Sequence, residues 1–211
     1  MSARSTLRPV ARAFFSRPVL NVARDLIGAV LVHRTAEGRI AARIVETEAY
    51  GTEDPGSHAF RRQTARNAPM FEEPGHAYVY FTYGMHWCLN AVTDRAGVPG
   101  AVLIRAAEPI EGIELMRERR TEAQHRPRDE NLARGPGRLT QAFGIGAEQN
   151  RADLTAPPLF VAPGERYPEE AVARGPRIGL AATQQDDRAW RFWLRDSRYV
   201  SGRRGAPRRV R

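Results

Sequence analysis

The chain has 211 residues, enough for one sizeable core, with two small domains as the alternative. Arg and Lys total 33 against 24 Asp and Glu, a formal charge of +9 that favours a polyanionic partner. Every basic residue is Arg, Cys88 is the single cysteine, and no stretch is long and apolar enough for a spanning helix. A lysine Schiff base, an internal disulfide and a transmembrane helix are therefore excluded. The lone cysteine and the absence of an apolar leader at the start point to a reducing compartment.

Residues 1–12 carry several Arg with little periodicity and are predicted to be a mobile basic arm. Pro18 to Leu26 reads as a short helix, with Val19, Val22, Ala23 and Leu26 as its apolar stripe and Gly28 where a C-terminal cap would sit. Ala29–Arg34 and Arg39–Glu48 form two strands of a hairpin around Ala36-Glu37-Gly38. In the second strand Ile40, Ala42 and Ile44 fall on one side, and Arg39, Ala41, Arg43 and Val45 on the other. Glu46 and Glu48 are two residues apart, so both point to one face, and Tyr50 follows in the same register. Two acids and an aromatic are poor core material, because unpaired carboxylates are costly to bury. They suit a pocket that holds a flat ring and moves a proton; a solvated strand edge is the plainer alternative.

Residues 51–69 are polar, with Gly51, Pro55, Gly56 and Pro69, and predict a long loop carrying His58, Arg61, Arg62 and Arg66. The segment from Ala77 to Val92 is the most aromatic of the chain and reads as two strands turning at Tyr83-Gly84. At such a tip Tyr83 would be exposed; in one continuous strand it would pack inside. Gly100–Ala107 is a buried-type strand in which Arg105 needs a partner. Ile110–Arg120 is an amphipathic helix begun after Pro109, with Ile113 and Met116 inward, and Gly137–Phe143 is another helix. Leu159–Val161, Arg177–Leu180 and Trp190–Leu194 are the late strands, and residues 202–211 are predicted to be a disordered basic tail.

Of the two carboxylates, Glu48 lies nearer the loop where a ligand enters and is favoured as the base, while Glu46 pairs with an Arg. Tyr50, Tyr78, Tyr80 and Tyr83, interleaved with Arg43, Arg61, Arg62 and Arg66, could stack bases and hold phosphates. A Tyr-rich core with a charged rim would give the same pattern. His33, His58, His76, His86 and His125 lack ligand spacing, so no metal and no cofactor are expected.

An ordered set of motifs resembles the alkyladenine (3-methyladenine) DNA glycosylase family of the animal and bacterial type. It comprises Arg43-Ile-Val-Glu-Thr-Glu-Ala-Tyr50, Arg62-Gln-Thr-Ala-Arg-Asn67, Tyr78-Val-Tyr80, Tyr83-Gly-Met85, Asn90 and Leu103-Ile-Arg-Ala-Ala-Glu-Pro109, closing with Arg177-Ile-Gly and Arg191-Phe-Trp-Leu-Arg195. The resemblance covers residues 13–201. It implies an α+β fold: one domain with a curved, mostly antiparallel sheet, flanking helices and a protruding β-hairpin. It further implies a monofunctional, monomeric enzyme that flips damaged purines out of double-stranded DNA and hydrolyses the N-glycosidic bond, in a cytoplasmic, nucleoid-associated setting. By the same resemblance Glu48 is the general base and Arg105 its partner. Tyr50, His58, Tyr80 and Asn90 form the base pocket, and Tyr83 is the intercalating wedge. Arg43, Arg62, Arg66 and Met85 lie along the DNA backbone. Two competing classes remain: a non-catalytic binder of damaged DNA, and a carbohydrate hydrolase that explains the carboxylates but neither the charge nor the wedge.

Overall fold

The computed structural model describes residues 7–121, 126–180 and 187–202. Its centre is a long strand, β2 (Gly38–Tyr50), that the rest of an eight-stranded sheet is built against. Along one edge β2 meets first β1 (Val30–Thr35) and then, over Glu46–Glu48, β8 (Arg191–Leu194). Along the other edge it meets β5 (Ala101–Glu111) over nearly its whole length. The hairpin of β3 (Ala77–Thr82) and β4 (His86–Val92) extends the sheet beyond β5. On the far side β6 (Leu159–Ala162) pairs with β1, and β7 (Val172–Gly175) pairs with β8. All these pairings are antiparallel, as expected for a curved α+β sheet.

Three helices cover one face: α1 (Val19–Asp25), α2 (Ile113–Arg120) and α3 (Pro136–Phe143). Val22 and Ala23 of α1 and Leu139 and Phe143 of α3 pack with Ile40, Ala42 and Ile44 of β2 in the main core. Burying the larger of these side chains, Val, Leu, Ile and Phe, contributes about 1.5–3 kcal/mol each. The opposite face carries smaller apolar clusters, among them Ala59, Met70, Tyr78, Val92 and Ala101 under the 51–71 segment.

Two bulges decide which residues face which side. Ile44 pairs with Ala107 but Glu46 with Ala106, so Val45 is an extra residue on β2. Thr47 then pairs with Ile104, so Arg105 is an extra residue on β5. Strict alternation would leave Glu46, Glu48 and Tyr50 on the helix-covered face with Ile44. The bulge reverses the phase, as a one-residue slip must. Thr47 and Ala49 turn to the core, where Thr47 Oγ1 donates to the Ala23 carbonyl at 2.8 Å. Glu46, Glu48 and Tyr50 turn to the open face, and the β5 bulge turns Arg105 towards them.

Several predicted boundaries move. The helix expected from Ile110 begins at Ile113, because β5 continues through Pro109 to Glu111. Pro109 falls at a register irregularity opposite Ala42, a place where a strand tolerates proline. Glu111 is held by a two-pronged bond from Arg39 (2.9 and 2.7 Å), and Gly112, in the left-handed region (φ 73), turns the chain. Arg177–Leu180 is not a strand but irregular chain over the open face, since the Ile178 N–H is taken by a side chain. Residues 7–12, expected within the mobile arm, lie against the body: the Val10 N–H donates to Val161, and Arg12 donates to the Pro74 carbonyl at 2.7 Å. The remainder of the arm, His125 and residues 203–211 of the predicted tail lie outside the described residues.

Candidate active site

The open face of β2, β3, β4 and β5 floors a cavity of about 410 Å³. Tyr50, Tyr78, Tyr80, Cys88, Asn90, Leu103 and Arg105 point into it from alternating positions on these strands. The 51–71 loop closes one side with Gly56, His58 and Met70, and Ile178, Gly179 and Leu180 close another.

Glu48 lies beneath this cavity, fully buried. Its Oε2 accepts from the Tyr50 hydroxyl at 2.8 Å and from Arg105 Nη1 at 3.1 Å, and its Oε1 accepts from the Ile178 N–H at 2.7 Å. A carboxylate offers about four acceptor positions, so one remains. Arg105 is shared, because its Nε donates to Glu46 at 3.2 Å. Burial alone would weaken the hold of Arg105 on its proton, but Glu48 and Glu46 outweigh it and raise its pKa. Glu46 also accepts from Arg191 Nε at 2.7 Å and from the Ser201 N–H at 2.6 Å. Two buried carboxylates thus answer two buried guanidiniums, the arrangement such charges require.

The aromatic walls are protonated and neutral. Burial, then the charge of Glu48, raises the Tyr50 pKa far above the phenol range, so its hydroxyl remains a donor. Burial pushes Tyr78 up to about 12 and raises Tyr80 as well. His58 meets Tyr80 edge-on, with ring centres 4.5 Å apart, and its Nδ1 lies 2.9 Å from the Tyr78 hydroxyl. Its pKa is lowered by partial desolvation of the ring against the cavity wall and by the charge of Arg66, which favours the neutral ring at pH 7. The Asn90 amide donates to the Tyr78 carbonyl at 3.0 Å, which fixes its orientation in the floor.

The hairpin tip is the most exposed aromatic feature. Tyr83 is 74% exposed and Met85 67%. Tyr83 sits at φ 52, ahead of Gly84 at φ 68. Left-handed backbone is uncommon for a tyrosine, and here the tight turn between β3 and β4 imposes it at a conformational cost. Its hydroxyl reaches across the cavity mouth to the Gly179 carbonyl at 3.1 Å.

The predicted site residues do not all converge. Arg105, Tyr50, His58, Tyr80, Asn90 and Tyr83 line the cavity, and Glu48 is not part of the lining but is buried behind it, bonded to Tyr50 and Arg105. Arg66 stands at its rim, 5.6 Å over the Tyr80 ring and donating to the Phe81 carbonyl, and Arg62 is exposed on the same loop. Arg43 is elsewhere: its guanidinium is bound to Glu108 at 2.9 Å and does not line the cavity. Sequence reasoning quoted Asn67 within a motif but gave it no role; its buried amide donates to the carbonyls of His58 (2.7 Å) and Arg62 (3.0 Å) and so shapes the loop. It also missed the buried pair Asp54–Arg177 behind Tyr50. Loop residues that bond their own backbone leave only a polar, Gly-Pro-rich stretch as a signal. Among the described residues, no three His, Cys, Asp or Glu side chains gather as a metal site would require.

A family model described as methylpurine-DNA glycosylase matches residues 13–198. The chain is 48% identical over 208 residues to a protein of Streptomyces avermitilis, covering 96% of each chain. It is 44% identical over 206 residues to one of Salinibacter ruber, covering 92% of this chain and 97% of the relative. It is 47% identical over 199 residues to one of Methanocella arvoryzae, covering 91% and 95%. All three relatives bear the name "Putative 3-methyladenine DNA glycosylase".

Proposed function

The chain belongs to the methylpurine-DNA glycosylase family, and from that premise we propose that it is a monofunctional glycosylase of double-stranded DNA, removing damaged purines by hydrolysis. The observation that carries this reading is Glu48, buried beneath an aromatic cavity and held by Tyr50, Arg105 and Ile178 with one acceptor position to spare.

A base inside a duplex is out of reach, so the nucleotide must be extruded, at a cost of a few kcal/mol that is least for a damaged base. Tyr83 offsets this by filling the vacated place in the stack, as an apolar wedge does. Arg62, Arg66 and Met85, on the exposed loop and hairpin tip, flank the DNA backbone. The extruded purine enters between Tyr50, His58 and Tyr80, with Asn90 reading its edge. A cationic alkylpurine gains further from the aromatic faces. A water held at the free position of Glu48 attacks C1′. The C1′–N bond breaks with its electron pair leaving on the purine, and Glu48 takes the proton of the water. The carboxylate also stabilises the positive charge developing on the sugar. The absence of lysine fits simple hydrolysis, with 3-methyladenine, 7-methylguanine and hypoxanthine or ethenoadenine as substrates.

The test is a duplex carrying one hypoxanthine or one 7-methylguanine, incubated with the protein and then treated with alkali. Strand breaks that need the alkali are expected, because an abasic site is made without a lyase step. Tight lesion binding with no base released from either duplex would overturn the reading in favour of a non-catalytic damage-binding protein.

Tyr83→Ser is expected to slow release from duplex DNA by roughly ten- to hundredfold, the worth of one stacked ring. Its melting temperature should stay close to that of the wild type, since exposed positions change stability by only about 0.5 kcal/mol. A collapse in melting temperature would instead make Tyr83 a structural residue.

A further inference from the structure

Tyr50 has two faces, and only one of them belongs to the cavity. The other is covered by the Arg177 guanidinium, 4.7 Å from the ring centre and 5.3 Å from that of Trp190. Arg177 is fully buried and does not line the cavity. Its Nη1 donates to the Ala49 carbonyl at 2.9 Å, and both terminal nitrogens bond Asp54, with Nη2–Oδ1 at 2.6 Å. Asp54 Oδ1 also accepts from the Gly56 N–H at 2.9 Å, inside the loop that carries His58. One guanidinium therefore ties the strand bearing Tyr50, the loop bearing His58 and the segment whose Ile178 N–H holds Glu48.

We propose that Asp54 and Arg177 form a specificity-determining clamp, which holds Tyr50 as a cavity wall and tempers its attraction for cationic bases relative to neutral ones. The proposal rests on the glycosylase reading above. An aromatic face attracts a cation through the electron density over the ring. Arg177 draws that density towards the buried face and leaves less for the open one. A cationic purine on the open face would also stand across the ring from a like charge, which the Asp54 carboxylate offsets only in part. A neutral purine relies on contact and orientation, which the clamp supplies. Neither residue touches the base; both act through Tyr50 as positioning residues.

The test replaces the pair by neutral groups of similar shape, Asp54→Asn with Arg177→Met, so that neither member of the pair is left buried and charged without the other. The readout is the ratio of kcat/KM for 7-methylguanine, a cationic base, to kcat/KM for hypoxanthine, a neutral one. That ratio is expected to rise by roughly three- to thirtyfold over wild type. A structural role alone would lower both rates together and leave the ratio in place. A rise of less than threefold overturns the proposal. Should the double variant fail to fold, Asp54→Asn with Arg177→Gln removes the same two charges with a polar side chain in place of the guanidinium, and the same threshold decides. Wild-type protein that releases neither base overturns the glycosylase reading and the clamp with it. Release by the wild type with an unmoved ratio overturns the clamp alone.

Discussion

Glu48→Gln should lower base release by about 10²–10⁴-fold, the usual worth of a positioned general base, while affinity for lesion-containing duplex stays within a few-fold of wild type. The shape is kept and the change is chemical. The amide oxygen still accepts the Ile178 N–H, as Oε1 does at 2.7 Å. The amide nitrogen replaces Oε2, which accepts from both Tyr50 and Arg105. Tyr50 can turn its hydroxyl to accept, but Arg105 has only donors and must rely on Glu46. Loss of that charged hydrogen bond should cost about 1.5–3 kcal/mol of stability, and the protein should stay folded. Single-turnover release and a binding titration on the same duplex separate the two effects. Release that survives the substitution would take the base role away from Glu48.

What the sequence made legible is local. The turn at Tyr83-Gly84 follows from one glycine between two aromatic strands, and the structure puts Tyr83 outside. The pairing of Glu46 and Glu48 on one face follows from a period of two, and Arg105 advertises its need for an acid because it interrupts an apolar run. The bulges at Val45 and Arg105 were not legible. Alternation alone carries Glu46 in phase with Ile44, and nothing in either strand marks the extra residue, because a bulge is fixed by the partner strand. Nor was the route from Arg177 to Tyr50, which spans 128 residues to the Ala49 carbonyl. Arg177–Leu180 looked like a strand because its apolar residues serve the cavity wall rather than a sheet face. The acidic, basic and aromatic residues around the cavity were visible by type; the partners behind them were not, since long-range contacts leave no local pattern.

Glu46→Ala should show the reverse balance, a loss of stability larger than that of Glu48→Gln. Glu46 alone answers Arg191 and part of Arg105, and it accepts the Ser201 N–H. Glu48 holds one guanidinium and two neutral donors. Removing one member of a buried ion cluster costs about 3–5 kcal/mol, mostly because the remaining charge stays buried without its partner. For a domain of this size each kcal/mol lowers the melting temperature by roughly 2–4 °C, so a drop of about 6–20 °C is expected. The damage should spread to β8 and the segment ending at Ser201, which Glu46 ties to β2. Faster hydrogen exchange at the Ser201 amide would locate it there. Adding Arg191→Met to Glu46→Ala removes one stranded cation and leaves Arg105 with Glu48, so part of the lost melting temperature should return. No recovery in the double variant would mean that the cavity left by the carboxylate, rather than the unpaired charge, sets the cost. In either case Glu46 acts on hydrolysis only through Arg105, and base release per folded molecule should fall less than in Glu48→Gln.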